Sequence, residues 1–181
     1  MTNHQALLLS IRPRFVDSIF AGTKTVELRR VKPRVRAGDL VVVYASGAIK
    51  GLFGAFEVTG VTAGSPDYIW KKHNKGSGLT REEFDHYFTG VETGYAICIG
   101  KLWRLPEPVL LPTLRTRRKG FRPPQSYQYW SLEDLLVVGG GAFIARTREV
   151  GGTLGISKVR SKSDPSSPRV QNGCRPTAIQ N

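Results

Sequence analysis

The chain has 181 residues, 40% of them apolar, and carries 27 Lys and Arg against 14 Asp and Glu for a net charge of +13. That length suits one domain with an extension, or at most two small ones, and is enough to bury a core. The excess charge is +8 over residues 1–145 and +5 over residues 146–181, so it is not confined to one end. Such a balance favours a polyanionic partner, nucleic acid ahead of a membrane because no basic amphipathic helix is visible. No apolar run nears transmembrane length. Leu7-Leu8-Leu9 is too short, and too soon followed by Arg12, to be the apolar core of a signal peptide. Cys98 in an apolar run and Cys174 in a polar one form neither a disulfide framework nor a zinc pattern. These features predict a cytoplasmic protein.

Ala6 to Ile11 predicts a buried first strand ending at Pro13. Arg14 to Ala21 places Phe15, Ile19 and Phe20 at helical spacing, and Gly22 supplies the stop. From Thr25 to Arg29 the chain alternates: Val26 and Leu28 share one face, while Thr25, Glu27 and Arg29 share the other. Lys24 stands at the entrance of that strand, where its long side chain can fold back over the polar face. Val31 to Ala37 is a basic loop, Gly38-Asp39 a turn, and Leu40 to Ala45 a third strand. Ile49 to Val61 makes a long fourth strand whose Gly51 and Gly54 indicate a bulge or the close approach of another backbone.

Ser65-Pro66-Asp67 opens a short helix, and Lys71 to Gly78 reads as a flexible basic loop. Thr80-Arg81-Glu82-Glu83 has the spacing of a capping box, starting a helix that carries Phe84, Tyr87 and Phe88 on one face. Those aromatics read as core. Thr93 to Leu105 is a fifth strand region, divisible near Gly100 and ended by Pro106-Glu107-Pro108. A second cationic cluster, Arg117-Arg118-Lys119, has few acidic neighbours in sequence, and Tyr127, Tyr129 and Trp130 follow it. These rings either stack on unpaired bases or pack on the domain, and packing is the reading favoured. Ser131 to Asp134 caps a last short helix through Val138. Residues 1–138 form the domain and residues 139–181 a Gly-, Ser-, Pro- and Arg-rich tail expected to be disordered.

The order Gly22, Lys24, Glu27, Arg29 resembles the Gly-x-Lys-x-x-Glu-x-Arg signature of the ASCH domain family. The resemblance extends to Ser10-Ile11-Arg12-Pro13, the Ala37-Gly38-Asp39 turn, Val41 to Ser46, and Lys50 to Val58. It implies an α+β fold, a PUA-like mixed β-barrel of five to six strands with two or three peripheral helices, related to RNA-binding folds. It also raises an enzymatic alternative. Some small ASCH proteins resemble amidohydrolases that deacetylate a modified cytidine through a lysine, a threonine and a more distal glutamate. The lysine falls at Lys24, but Glu27 occupies the threonine position, and Lys71 to Leu79, where the glutamate is expected, holds no acid. Other members are ribonucleases, whose chemistry needs only acid–base groups.

Isolated His4, His73 and His86 show no metal spacing, and no nucleophile elbow or phosphate-binding glycine loop is present. No cofactor or metal site is therefore expected. RNA binding is the leading function, ahead of a small hydrolase acting on RNA or a modified nucleoside through Lys24 and Glu27. Lys24, Arg29 and Arg30 are assigned to phosphate, and Glu27 to orienting Lys24 and Arg29 or to accepting from a base amino group. Ser10, Arg12 and Ser46 are rim residues, and Arg117, Arg118 and Lys119 a second basic contact. An open groove would indicate a general RNA binder, and a deep pocket sized for one base an enzyme or a reader of single nucleosides. Deleting the chain from Thr147 onward should leave the melting temperature nearly unchanged and weaken non-specific RNA binding; a large drop in a thermal melt would show that the tail docks on the domain.

Overall fold

Leu40 to Ala45 is apolar throughout because it lies mid-sheet with all six residues buried. The computed structural model describes residues 5–131 and 133–138. Their elements run β1 (Gln5–Ile11), α1 (Pro13–Phe20), β2 (Val26–Arg29), β3 (Leu40–Ala45), β4 (Gly51–Gly64), α2 (Pro66–Ser77), α3 (Arg81–Phe88), β5 (Gly94–Leu110), α4 (Leu111–Arg117) and β6 (Tyr127–Ser131). Residues 133–138 add a final helical segment. It opens with reciprocal bonds between Ser131 and Asp134, as a cap there requires.

One six-stranded sheet has the order β2-β5-β4-β3-β1-β6. β1 and β3 pair parallel, and all other neighbours pair antiparallel. The sheet curls into a half-barrel. Across the seam between its two edge strands, the Arg29 guanidinium donates to the Ser126 hydroxyl (3.4 Å) and the Arg34 amide donates to the Tyr129 hydroxyl (2.8 Å). Because strand side chains alternate, Leu8, Val42, Tyr44 and Trp130 pack on one face, and Leu7, Leu9, Val41, Val43 and Phe56 on the other. A third cluster joins Val26 and Leu28 of β2 to Ile69, Phe84 and Phe88 of the α2–α3 pair. Thus Phe84 and Phe88 of α3 are core, as expected, Tyr87 is partly buried beside them, and Trp130 is buried.

The bulge anticipated at Gly51 and Gly54 is present, with a register shift against β3 at Val43/Tyr44. Two stretches differ from the expectation. Lys71 to Ser77 is helix rather than loop, ending at Gly78 in the left-handed conformation. Ile69 and His73, four apart, face inward, while Lys71, Lys72 and Lys75 are exposed. A lysine-rich surface is compatible with a helix, since lysine is a good helix former. Likewise Pro106 and Pro108 do not end β5. Register against β4 jumps from Arg104 to Val109 across two residues of the partner strand, so both prolines occupy an irregularity where no ladder donor is needed. The expected tail, 139–181, lies outside the described residues. No helix among the described residues is long and apolar enough to cross a membrane.

At Gly54 the backbone of β4 passes close against β5. The φ of Gly54 is +154°, and a Cβ there would meet the Trp103 carbonyl oxygen at 2.1 Å. Gly54→Ala should destabilise the fold by roughly 2 kcal/mol or more. Comparison of urea midpoints checks this, and an unchanged midpoint would refute the close approach.

Candidate nucleic-acid interface

β2 presents Glu27 and Arg29 on the face opposite Val26 and Leu28, yet all four residues are buried. This is an edge strand, and its polar face is not a surface. α1, α2 and α3 surround it. Tyr87 on α3 donates its hydroxyl to the Leu28 carbonyl at 3.1 Å, and the Thr25 amide donates to the Gly76 carbonyl at the end of α2. Glycine at 76 allows this close approach, because a Cβ there would press on the Thr25 hydroxyl, which would have to turn away.

Lys24 is 3% exposed. Its Nζ donates to the Ser77 carbonyl at 2.5 Å, stands 3.4 Å from Glu27 Oε2 and lies 4.9 Å from the Phe15 ring centre. The other carboxylate oxygen, Oε1, is 3.2 Å from Arg29 Nη2. Glu27 is therefore held between two cations, one on each oxygen. Arg29 Nη1 donates to Ser126, whereas Nε and Nη2 are buried and make no aligned hydrogen bond; the Nη2 contact with Glu27 is close enough for an ion pair but poorly directed. Burial lowers the Lys24 pKa from the ordinary lysine value, the neighbouring Glu27 carboxylate opposes that shift, and Arg29 and Arg14 add to it.

These three side chains line a pocket of about 270 Å³ together with Ser10, Ile11, Arg12, Arg14, Phe15, Leu28, Leu79, Glu83, His86 and Tyr87. The volume is close to the lower end of ligand clefts, roughly 300 Å³, which suits one nucleobase rather than a nucleic-acid helix. Four lining residues are Arg or Lys and two are Glu. At the mouth Arg14 pairs with Glu83 at 2.7 Å and covers Phe15 at 4.4 Å from the ring centre. The Thr80 amide and Arg14 hold the Glu83 carboxyl below its ordinary pKa, and burial raises that of the Tyr87 hydroxyl.

Of the residues expected from sequence, Ser10, Arg12, Lys24, Glu27 and Arg29 share this pocket. Arg30 is exposed and donates to the Thr89 carbonyl instead. Ser46 lies behind the wall, its hydroxyl donating to the Ile11 carbonyl. The second basic cluster does not line the pocket. Arg118 pairs with Asp134 at 3.0 Å and Arg117 donates to the Val138 carbonyl, so two of its cations hold the C-terminal helical segment; Lys119 is exposed. The acidic partner missing from the local sequence comes from 16 residues on. Sequence reasoning missed Ser126, which no local signal links to Arg29, and the α3 face carrying Glu83 and Tyr87, which the capping box already set in register.

The ASCH domain family model matches residues 9–99, half of the chain. The chain belongs to the ASCH domain family. The ASCH domain is a PUA-like fold associated with RNA binding. A curated protein from Zymomonas mobilis named an ASCH domain-containing ribonuclease is 27% identical over 127 residues, covering 70% of this chain and 85% of that protein. A crystal structure of an ASCH protein from the same species superposes with a TM-score of 0.70 at 25% identity, covering 74% of this chain and 93% of that one. Large ribosomal subunit protein uL22 of Ureaplasma parvum is 29% identical over 105 residues, 58% of this chain but only 33% of that protein.

The buried row of charges governs stability. Glu27→Ala would leave two buried cations without their carboxylate and should destabilise the domain by roughly 3 kcal/mol. Because the folded state lowers the Lys24 pKa, the unfolded chain binds more protons between the lowered value and 10.5. The stability of the native protein relative to Lys24→Met should therefore rise with pH across that window. Urea titrations of both proteins at several pH values measure it; a falling difference would mean that the ammonium is favoured by its site.

Proposed function

We propose that this ASCH protein binds single-stranded RNA and takes one unpaired nucleotide into the pocket at the barrel seam. The observation that carries the reading is the Lys24–Glu27–Arg29 row, buried yet lining a pocket of base size. Arg12 and Arg14 are exposed at its mouth, and Lys32, Arg34 and Arg36 are exposed on the loop that leaves β2. They provide cations for the phosphates on either side of the captured nucleotide, while Tyr87 offers aromatic surface to its base.

A second reading, cleavage of the bound strand, is favoured by Lys24 and by the ribonuclease name of the Zymomonas relative. Burial lowers the Lys24 pKa, which makes its ammonium a better proton donor than that of an ordinary lysine, and a carboxylate stands beside it. In this reading Glu27 receives the proton of the attacking hydroxyl, Lys24 protonates the leaving oxygen, and Arg29 balances the charge on phosphorus.

Fluorescence anisotropy with a labelled single strand over a salt series tests the binding. Each phosphate neutralised should add about −0.7 to the slope of log affinity against log salt. Arg12→Ala and Arg14→Ala should each flatten the slope by roughly that increment. Unchanged slope and affinity in both would remove the pocket mouth from the interface. Electrophoresis of the same strand after incubation tests cleavage, which should disappear in Lys24→Met.

A further inference from the structure

We infer that the pocket selects uracil, with Glu27 as the specificity-determining residue; this rests on the RNA-binding reading above. Three polar groups stand in one row: the Lys24 ammonium, the Glu27 carboxylate and the Arg29 guanidinium, at 3.4 and 3.2 Å spacings. In hydrogen-bonding terms the row reads donor, acceptor, donor.

Each member retains capacity. The ammonium has three N–H groups; one donates to Ser77 and one faces Glu27, and the third has no acceptor among the described residues. A carboxylate has about four lone-pair sites, and Glu27 meets one cation on each oxygen. Arg29 is 9% exposed, and its Nε and Nη2 are buried without a hydrogen-bond partner. The donor a ligand would use is on Arg29 Nη1, which carries a second N–H beside the one given to Ser126.

The complementary edge reads acceptor, donor, acceptor. Among the four RNA bases only uracil has it on its Watson–Crick side: O4, N3–H, O2. The pattern is symmetric, so either orientation of the ring satisfies it. Cytosine sets its amino group against a cation or its bare N3 against the carboxylate. Adenine also meets the carboxylate with a bare ring nitrogen. Guanine places its 2-amino group against a cation. Of the neighbouring hydroxyls, that of Ser126 takes one Arg29 N–H and the others are engaged elsewhere. Ser10 donates to the Pro124 carbonyl and Tyr87 to that of Leu28.

Anisotropy with short unstructured oligomers of U, C and A, and with an N3-methyluridine oligomer, tests this on the full chain. Oligo-U should bind at least roughly tenfold more tightly than oligo-C or oligo-A, because a mismatch leaves a buried polar group unpaired. N3-methylation should abolish the advantage. Glu27→Gln, checked for folding by circular dichroism, offers an amide N–H to the cytosine N3 and should narrow the ratio of U to C affinity, a change that a generally weakened site would not produce. Equal affinity for U, C and A, or for U and its N3-methyl form, would overturn the inference while leaving RNA binding intact. Binding to none of them at low salt would overturn the RNA-binding reading itself.

Discussion

A carboxylate shared between two cations, out of water and at the edge of a sheet, is the constraint around which this domain is arranged. Desolvating Lys24, Glu27 and Arg29 together is expensive, and their mutual attraction offsets it only while all three remain in place. Keeping them there takes parts from distant stretches of chain: the Ser77 carbonyl from the end of α2, the Ser126 hydroxyl before β6 and the ring of Phe15 from α1. The helices are thus walls of the site as well as cover for an exposed edge. Val26 and Leu28 anchor one face of β2 into the cluster under α2 and α3, which fixes where Glu27 and Arg29 on the other face must point.

That division explains what local sequence could reveal. The alternation from Val26 to Arg29 and the position of Lys24 were enough to assemble the row in outline. Leu40 to Ala45 and the capping box at Thr80 to Glu83 were legible for the same reason: their signals are periodic or short-range. The misread stretches were those where tertiary context overrides a local cue. Lys71 to Ser77 looks like loop by charge, but Ile69 and His73 give it a buried side. Pro106 and Pro108 look like breakers, but a register jump accommodates them. Nothing near Arg118 in sequence announces Asp134 as its partner, and nothing near Arg29 announces Ser126. Such pairings belong to topology, which a single sequence carries only indirectly.

Burial also separates the cations by role. Lys24 and Arg29 are enclosed, so salt screens them weakly, whereas Arg12, Arg14 and the loop after β2 face solvent and are screened readily. In the RNA-binding reading proposed above, long-range attraction for a polyanion falls to the outer group, and discrimination at short range to the inner one, where the dielectric is low and an unpaired group is costly.

The seam places the site under the control of both ends of the domain. β1 pairs with β6 from Gln5 against Ser131 to Leu9 against Tyr127, and Ser10 is held by the Ser126 and Pro124 carbonyls. During synthesis, therefore, the signature stretch around Glu27 leaves the ribosome about a hundred residues before Ser126. For that interval the nascent chain carries the charged row without the Ser126 hydroxyl that holds Arg29. A polypeptide with every motif residue but lacking the last strand has the lettering of the family and an unanchored guanidinium. Completion of the site is in this sense a report that the domain has been made to its end.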